Sequence, residues 1–136
     1  MNDTKDIRWK QRFENYEKAY LLLEKATQIK NPSETERAGI IQFFEMAFEL
    51  SWKLLKDYLE NEGYVIKSPR QAIKQAIQAN IINNSHQWID ALEDRNLTVH
   101  TYHEETAIEV EDNIMEFYLP MLKDLYDDFK SKVELE

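Results

Sequence analysis

The 136-residue chain has no cysteine, two glycines and three prolines, and no uninterrupted apolar run near the roughly 20 residues that cross a bilayer. Each absence excludes something. Without cysteine there can be no disulfide, thiolate metal site or cysteine nucleophile, which suits a reducing compartment. So little glycine and proline leaves few turns for a sheet, and 32% charged residues favour long solvated helices. With a polar start, Met1-Asn2-Asp3-Thr4-Lys5-Asp6, and no membrane span, a cytoplasmic protein is expected. The fold expected is all-α, a single domain over residues 1–136 built as an antiparallel bundle of about five helices. A chain of this length buries about two thirds of its unfolded surface around one core.

Positive charge is also scarce. The net charge is −9, whereas a nucleic-acid binder usually carries a basic face. The distribution qualifies this. From Glu104 onward there are 11 acidic and 3 basic residues, so residues 1–103 are close to neutral. Between Gly63 and Ile89 there is no acidic residue, while Lys67, Arg70 and Lys74 are present, so a phosphate backbone can approach there without meeting carboxylates.

Hydrophobic spacing places the helices. Trp9, Phe13, Tyr16, Tyr20, Leu23 and Ala26 alternate by four and three, one amphipathic seam over about Ile7 to Ile29. Lys5, Arg8, Lys10 and Arg12 beside it read as a solvated face or as phosphate contacts. Asn31-Pro32-Ser33 separates that helix from the next, with Ser33 and Glu36 spaced as a capping box, and no strong breaker follows before Asn61-Glu62-Gly63. Ile40, Phe43, Phe44, Ala47, Phe48, Leu50, Trp52, Leu54, Leu55, Tyr58 and Leu59 cover more than one stripe, which predicts a helix buried on two sides at the centre of the bundle. Gly39 inside it either permits a close helix approach or is merely tolerated. Ser68-Pro69 opens a third helix with Gln71 at its third position, and Ala72, Ile73, Ala76 and Ile77 face inward. After Asn83-Asn84-Ser85, Trp88, Ile89 and Leu92 seat a fourth. The last is expected from about Glu104 to Phe129 through Ala107, Ile108, Ile114, Phe117, Tyr118, Met121, Leu122, Leu125 and Phe129, kinked at Pro120.

The chemistry concentrates in Glu93-Asp94-Arg95-Asn96-Leu97-Thr98-Val99-His100-Thr101-Tyr102. Arginine offers a fork of donors that matches phosphate oxygens, and histidine moves its proton near neutral pH. On one unbroken helix Arg95 and His100 lie about 140° apart, while Arg95 and Tyr102 nearly eclipse. Asn96, His100 and His103 form a second stripe. A helix break near the β-branched Thr98-Val99 reconciles the two, with His100 ending one helix and Tyr102 opening the next. Simpler readings exist: a salt bridge from Arg95 to Asp90, Glu93 or Asp94, a helix-end or core histidine, and a packing phenol. His100, His103 and Glu104 supply too few ligands for a catalytic metal, so none is expected.

The spacing Arg95-x4-His100-x-Tyr102, with Asn96 after the arginine, resembles the signature of HEPN-domain ribonucleases of the HepT toxin type. The similarity extends to the aromatic stretch Phe43 to Leu59 and to Ser68-Pro69-Arg70, and spans about Trp9 to Leu125. Those two segments resemble the family described as nucleotidyltransferase substrate-binding proteins. The resemblance implies a HEPN-like helical homodimer, a minimal nucleotidyltransferase partner acting as antitoxin, RNA as substrate, and no cofactor. It implies metal-independent cleavage by attack of a ribose 2′-OH on the adjacent phosphate. His100 then shuttles the proton, Arg95 holds the charge developing on the phosphoryl oxygens, and Asn96 orients the histidine or the phosphate. Tyr102 corresponds to the tyrosine that receives AMP from the partner. One chain carries one such arginine and one such histidine, and a two-fold dimer would bring two of each to one cleft. Two other readings fit the same residues. One is a non-catalytic subunit that presents substrate to a nucleotidyltransferase; the other is a helical scaffold whose acidic last helix docks a basic partner.

Overall fold

Helix α2 (Glu34–Asn61, 28 residues) starts and stops where the local sequence directs. Ser33 Oγ accepts from the Glu36 amide at 3.1 Å while the Ser33 amide donates to Glu36 Oε1 at 2.9 Å, the reciprocal bonds of a capping box. At the other end Gly63 takes φ 102°, which lets the Tyr64 amide turn back to the Leu59 carbonyl at 3.0 Å. A methyl group added at Gly39 would meet nothing within 4 Å, so that glycine makes no close approach.

The computed structural model describes residues 3–97 and 103–135. Around α2 lie α1 (Asp3–Ala26), α3 (Pro69–Gln78), α4 (Ser85–Leu97), and a last rod made of α5 (Glu104–Asn113), a π-helical turn (Ile114–Tyr118) and α6 (Leu119–Glu134). All regular structure among the described residues is helical, and no helix is long and apolar enough to cross a membrane.

Helix α2 is buried over one broad face, with Glu49 and Lys53 left to solvent on the side where the sequence predicted a second buried face, and that face holds the bundle together. On one side α1 runs antiparallel to it, with Arg12 Nε on Asp57 Oδ2 at 2.8 Å and the Trp9 ring edge-on to Tyr58 at 5.1 Å. On another, Phe44 stacks on Tyr118 of the last rod at 5.4 Å, and Phe48 meets Trp88 of α4 at 6.0 Å. Helix α1 closes the ring by packing antiparallel on α6 as well: Trp9 meets Phe129 at 5.8 Å and Tyr16 donates to the Leu122 carbonyl at 2.6 Å. Burial raises the Tyr16 phenol well above its usual range, so it stays a donor. Because α1 opposes both neighbours, α2 and the last rod run in the same direction. Of the basic residues at the start of α1, Arg12 pairs with Asp57, Lys10 with Asp6 at 2.9 Å and Arg8 with Glu60 at 3.9 Å.

Helix α3 opens as expected, with Ser68 Oγ accepting from the Gln71 amide at 3.1 Å and Pro69 in the first turn. Asn80 and Asn84, both in left-handed backbone (φ 59° and 57°), carry the chain from α3 into α4.

The last rod buries Ala107, Ile114, Tyr118, Met121, Leu122, Leu125 and Phe129 as expected and departs at two positions. Ile108 (40% exposed) and Phe117 (39%) point to solvent, and the α5 seam is Ala107, Val110 and Ile114. A single α-helical period carried through Pro120 cannot hold, because proline lacks an N–H and its ring clashes with the carbonyl four residues earlier. The chain widens into the π-helical turn just before the proline, where the Leu119 amide reaches back to the Ile114 carbonyl, and Pro120 falls in the first turn of a new α-helix. Side chains beyond Ile114 are therefore rotated relative to a continuous α-helix.

Asp57 is 3% exposed and its Oδ2 accepts from Arg12 Nε at 2.8 Å. Arg12→Ala is expected to cost about 1–3 kcal/mol in urea denaturation, the cost of stranding a buried charged acceptor. Lys123→Ala, which opens an exposed pair with Asp127, should cost about 0.5 kcal/mol or less. Equal losses in the two variants would contradict this account.

Candidate functional site

Arg95 sits in the last described turn of α4 and faces α2, where its Nη1 lies 3.1 Å from Glu49 Oε2. Local spacing points to Asp90, Glu93 or Asp94, but the carboxylate that receives this guanidinium comes from another helix, 46 residues earlier. Glu49 is a hub. The same Oε2 accepts the Trp52 indole N–H at 3.0 Å, and Lys53 Nζ stands 3.7 Å from Oε1 and 6.0 Å from the Trp52 ring. Spacings of three and four residues put Trp52 and Lys53 within reach of Glu49 on one side of α2. Glu49 (39% exposed) and Lys53 (38%) are open to solvent and Arg95 is 28% exposed, so an arriving anion can reach the group. Arg95, Lys53 and Glu49 together carry one net positive charge.

Asp94, next to Arg95, is engaged on the other side of α4. Its Oδ2 accepts the Tyr118 hydroxyl at 2.6 Å and the Asn113 amide at 3.1 Å, tying the end of α4 to α5 and the π-helical turn. Burial, and then the bond to Asp94, pushes the Tyr118 phenol above its usual range. Arg37 fixes the start of α5 to α2, with Nε 2.7 Å from Glu111 and Nη1 3.7 Å from Glu104.

Of the residues expected at the site, the structure places Arg95 on the outer side of the bundle core and Asn96 beside it in the same helical turn. His100 and Tyr102 lie outside the described residues, as does the expected break at Thr98-Val99. His103 is extended (φ −83°, ψ 119°), so residues 85–113 do not form one continuous helix. Arg70 and Lys74 line an open groove of about 360 Å³ on α3 with Ser68, Gln71, Gln75 and Gln78. Lys67 is exposed at the mouth of α3, where its amide donates to Gln71 Oε1 at 2.7 Å. Sequence reasoning assigned Trp52 to packing and did not single out Glu49 or Lys53. The available signal was a carboxylate at Glu49 in an otherwise aromatic and aliphatic run, followed by an indole and a lysine at helical spacing.

The fold and this cluster define a small helical bundle with an arginine and a lysine sharing one exposed carboxylate on its surface. The chain belongs to the family described as "Nucleotidyltransferase substrate binding protein like", which matches residues 11–131. A curated relative, a probable ribonuclease HepT from Haemophilus influenzae, is 30% identical over 87 residues, which cover 60% of this chain and 60% of that protein. Among solved structures, a protein from Thermus thermophilus is 32% identical with a TM-score of 0.73, covering 86% of this chain and 97% of that one. A second, from Haemophilus influenzae, is described as revealing the fold of a substrate binding domain of a nucleotidyltransferase. It is 26% identical with a TM-score of 0.77, covering 87% of this chain and 98% of that chain.

The hub makes a local prediction. Glu49→Gln should cost about 0.5–1 kcal/mol, as expected for a half-exposed ion pair, and should shift the Trp52 indole N–H resonance while leaving those of Trp9 and Trp88 in place. An unmoved Trp52 signal would show that Glu49 does not hold this group in solution.

Proposed function

We propose that the chain is a metal-independent endoribonuclease, the toxin of a toxin–antitoxin pair, held in check by a minimal nucleotidyltransferase. The observation that carries this reading is Arg95, held on the outer face of the bundle beside Lys53 and sharing a single carboxylate with it. Arginine and histidine are together the residue types that suit phosphoryl chemistry, and the Arg95-x4-His100 spacing resembles the HepT signature. An RNA phosphate displaces the weak, solvent-screened Glu49 pair and gains two cations.

In the reaction the ribose 2′-oxygen bonds to phosphorus and the bond from phosphorus to the 5′-oxygen breaks, leaving a cyclic phosphate and a free 5′-hydroxyl. His100 takes or gives the proton, Arg95 stabilises the charge on the non-bridging oxygens, and Asn96 orients the histidine or the phosphate. Lys67, Arg70 and Lys74 guide the flanking backbone along α3. The acid and the base come from two copies of the chain. The exposed side chains Ile108, Met115 and Phe117 on the last rod supply apolar surface for a second copy. Tyr102, two residues past His100, receives AMP from the partner, and the added phosphate and base block the position that a substrate phosphate needs beside Arg95.

Expression of the chain alone should arrest growth and fragment RNA, and Arg95→Ala or His100→Ala should each reduce cleavage on the order of 10²-fold or more. EDTA should have no effect. Cleavage that survives His100→Ala, or that stops with EDTA, overturns the reading. RNA that is bound but never cleaved points instead to a subunit that presents substrate to a nucleotidyltransferase, the function that the family description carries. A monomer by light scattering would remove the shared site. Co-expression with the nucleotidyltransferase should add mass in units of AMP to the wild type and none to Tyr102→Phe.

A further inference from the structure

Asp94 receives two neutral donors, the Tyr118 hydroxyl at 2.6 Å and the Asn113 amide at 3.1 Å, both from the last rod and both on Oδ2. Tyr118 is 3% exposed and lies flat on Phe44 of α2 at 5.4 Å, so its hydroxyl has little freedom to move. The π-helical turn puts it there. Tyr118 closes that turn, and the extra residue rotates it by roughly 100° relative to a continuous α-helix. The same rod is pinned at its start by Arg37, through Glu111 at 2.7 Å and Glu104 at 3.7 Å. The chain therefore leaves α4 shortly after a bond to the middle of this rod, and re-enters at α5 under a second clamp.

We propose that Tyr118, assisted by Asn113, is a positioning residue for Arg95: its bond to Asp94 fixes the last described turn of α4 against the π-helical turn and so sets where the guanidinium stands relative to Glu49 and Lys53. Tyr118 touches no substrate and acts through Asp94. The inference rests on the reading of Arg95 as the group that grips phosphate. It explains why a helix widening, a geometry that recurs at functional sites, falls beside this arginine. Pro120 requires a disturbance of the helix here, and the rotation it causes delivers the phenol to Asp94.

The test uses the full chain with four substitutions: Tyr118→Phe, Asp94→Asn, Asp94→Ala and, as a control, Tyr16→Phe. Tyr16 is an equally buried phenol whose hydroxyl reaches the Leu122 carbonyl at 2.6 Å, so its loss reports general destabilisation. Amide exchange over residues 85–97 and the Arg95 Nε–H resonance are read alongside melting temperature. Cleavage of a single-stranded RNA oligonucleotide is resolved into kcat and KM. Tyr118→Phe is expected to speed exchange at the end of α4, to broaden or shift the Arg95 signal, and to lower kcat on the order of 10-fold or more with KM nearly unchanged, as displaced catalytic groups do. Asp94→Ala should do the same. Asp94→Asn keeps a carbonyl oxygen for the Tyr118 hydroxyl and should retain most of the rate. Tyr16→Phe should lower the melting temperature and change neither the exchange of α4 nor kcat. The inference is overturned if Tyr118→Phe leaves α4 exchange and the Arg95 signal as in the wild type, or if kcat falls equally in Tyr16→Phe. If the wild type and Arg95→Ala both fail to cleave, the ribonuclease reading falls, while exchange and the Arg95 resonance still decide whether Tyr118 holds the end of α4.

Discussion

Burial of a broad face of α2 under several neighbours is the constraint from which the other contacts follow. A helix with a narrow apolar stripe needs one neighbour, but Phe44, Phe48, Leu54, Leu55 and Leu59 are all fully enclosed and spread over an arc of roughly 140°, so α2 is covered by α1, by the last rod, by α3 and through Trp88 by α4. Aromatic rings do much of this covering, and their edge-on and stacked pairs fix angles as well as distances. The result is a rigid central rod with one side left to solvent. Glu49 and Lys53 occupy that side.

From this frame the placement of Arg95 acquires a physical meaning. A helix end that carries a cation is ordinarily loose, because its last carbonyls and side chains have few partners. Here the last described turn of α4 is held on both flanks, by Glu49 through Arg95 itself and by Tyr118 and Asn113 through Asp94. Adjacent residues of opposite charge, about 100° apart on α4, are thereby directed to different neighbours, Asp94 to the last rod and Arg95 to α2. The Arg95–Glu49 pair is partly open to solvent and so contributes little to stability. In the pair of Arg12 with Asp57 the carboxylate is buried, so that bond is committed to the fold.

Proline and the π-helical turn link the fold to the site. Pro120 supplies no hydrogen bond to the preceding turn, and the chain accommodates it by widening over Ile114–Tyr118. That widening exposes Phe117 and buries Tyr118. An apolar side chain is thus left on the surface near the middle of the rod while a phenol reaches Asp94. Both consequences come from one local defect.

The sequence by itself determined the helices and most of the core. Ser33 with Glu36, Ser68 with Pro69, and Gly63 act through hydrogen bonds and backbone angles within a few residues, and four-three spacing names the buried face of α1 without reference to any neighbour. It also set the spacing of Arg95, Asn96, His100 and Tyr102, and with it the family. Tertiary structure alone decided the partners. Glu49 meets Arg95 across 46 residues and Tyr118 meets Asp94 across 24, and no periodicity within one helix reports which side chain of another will stand opposite. The shape of the helix at Pro120 was equally hidden, because a proline announces that a helix must yield but not whether it kinks or widens. That choice is made by what the rotated side chains find on packing, here Phe44 for the Tyr118 ring and Asp94 for its hydroxyl.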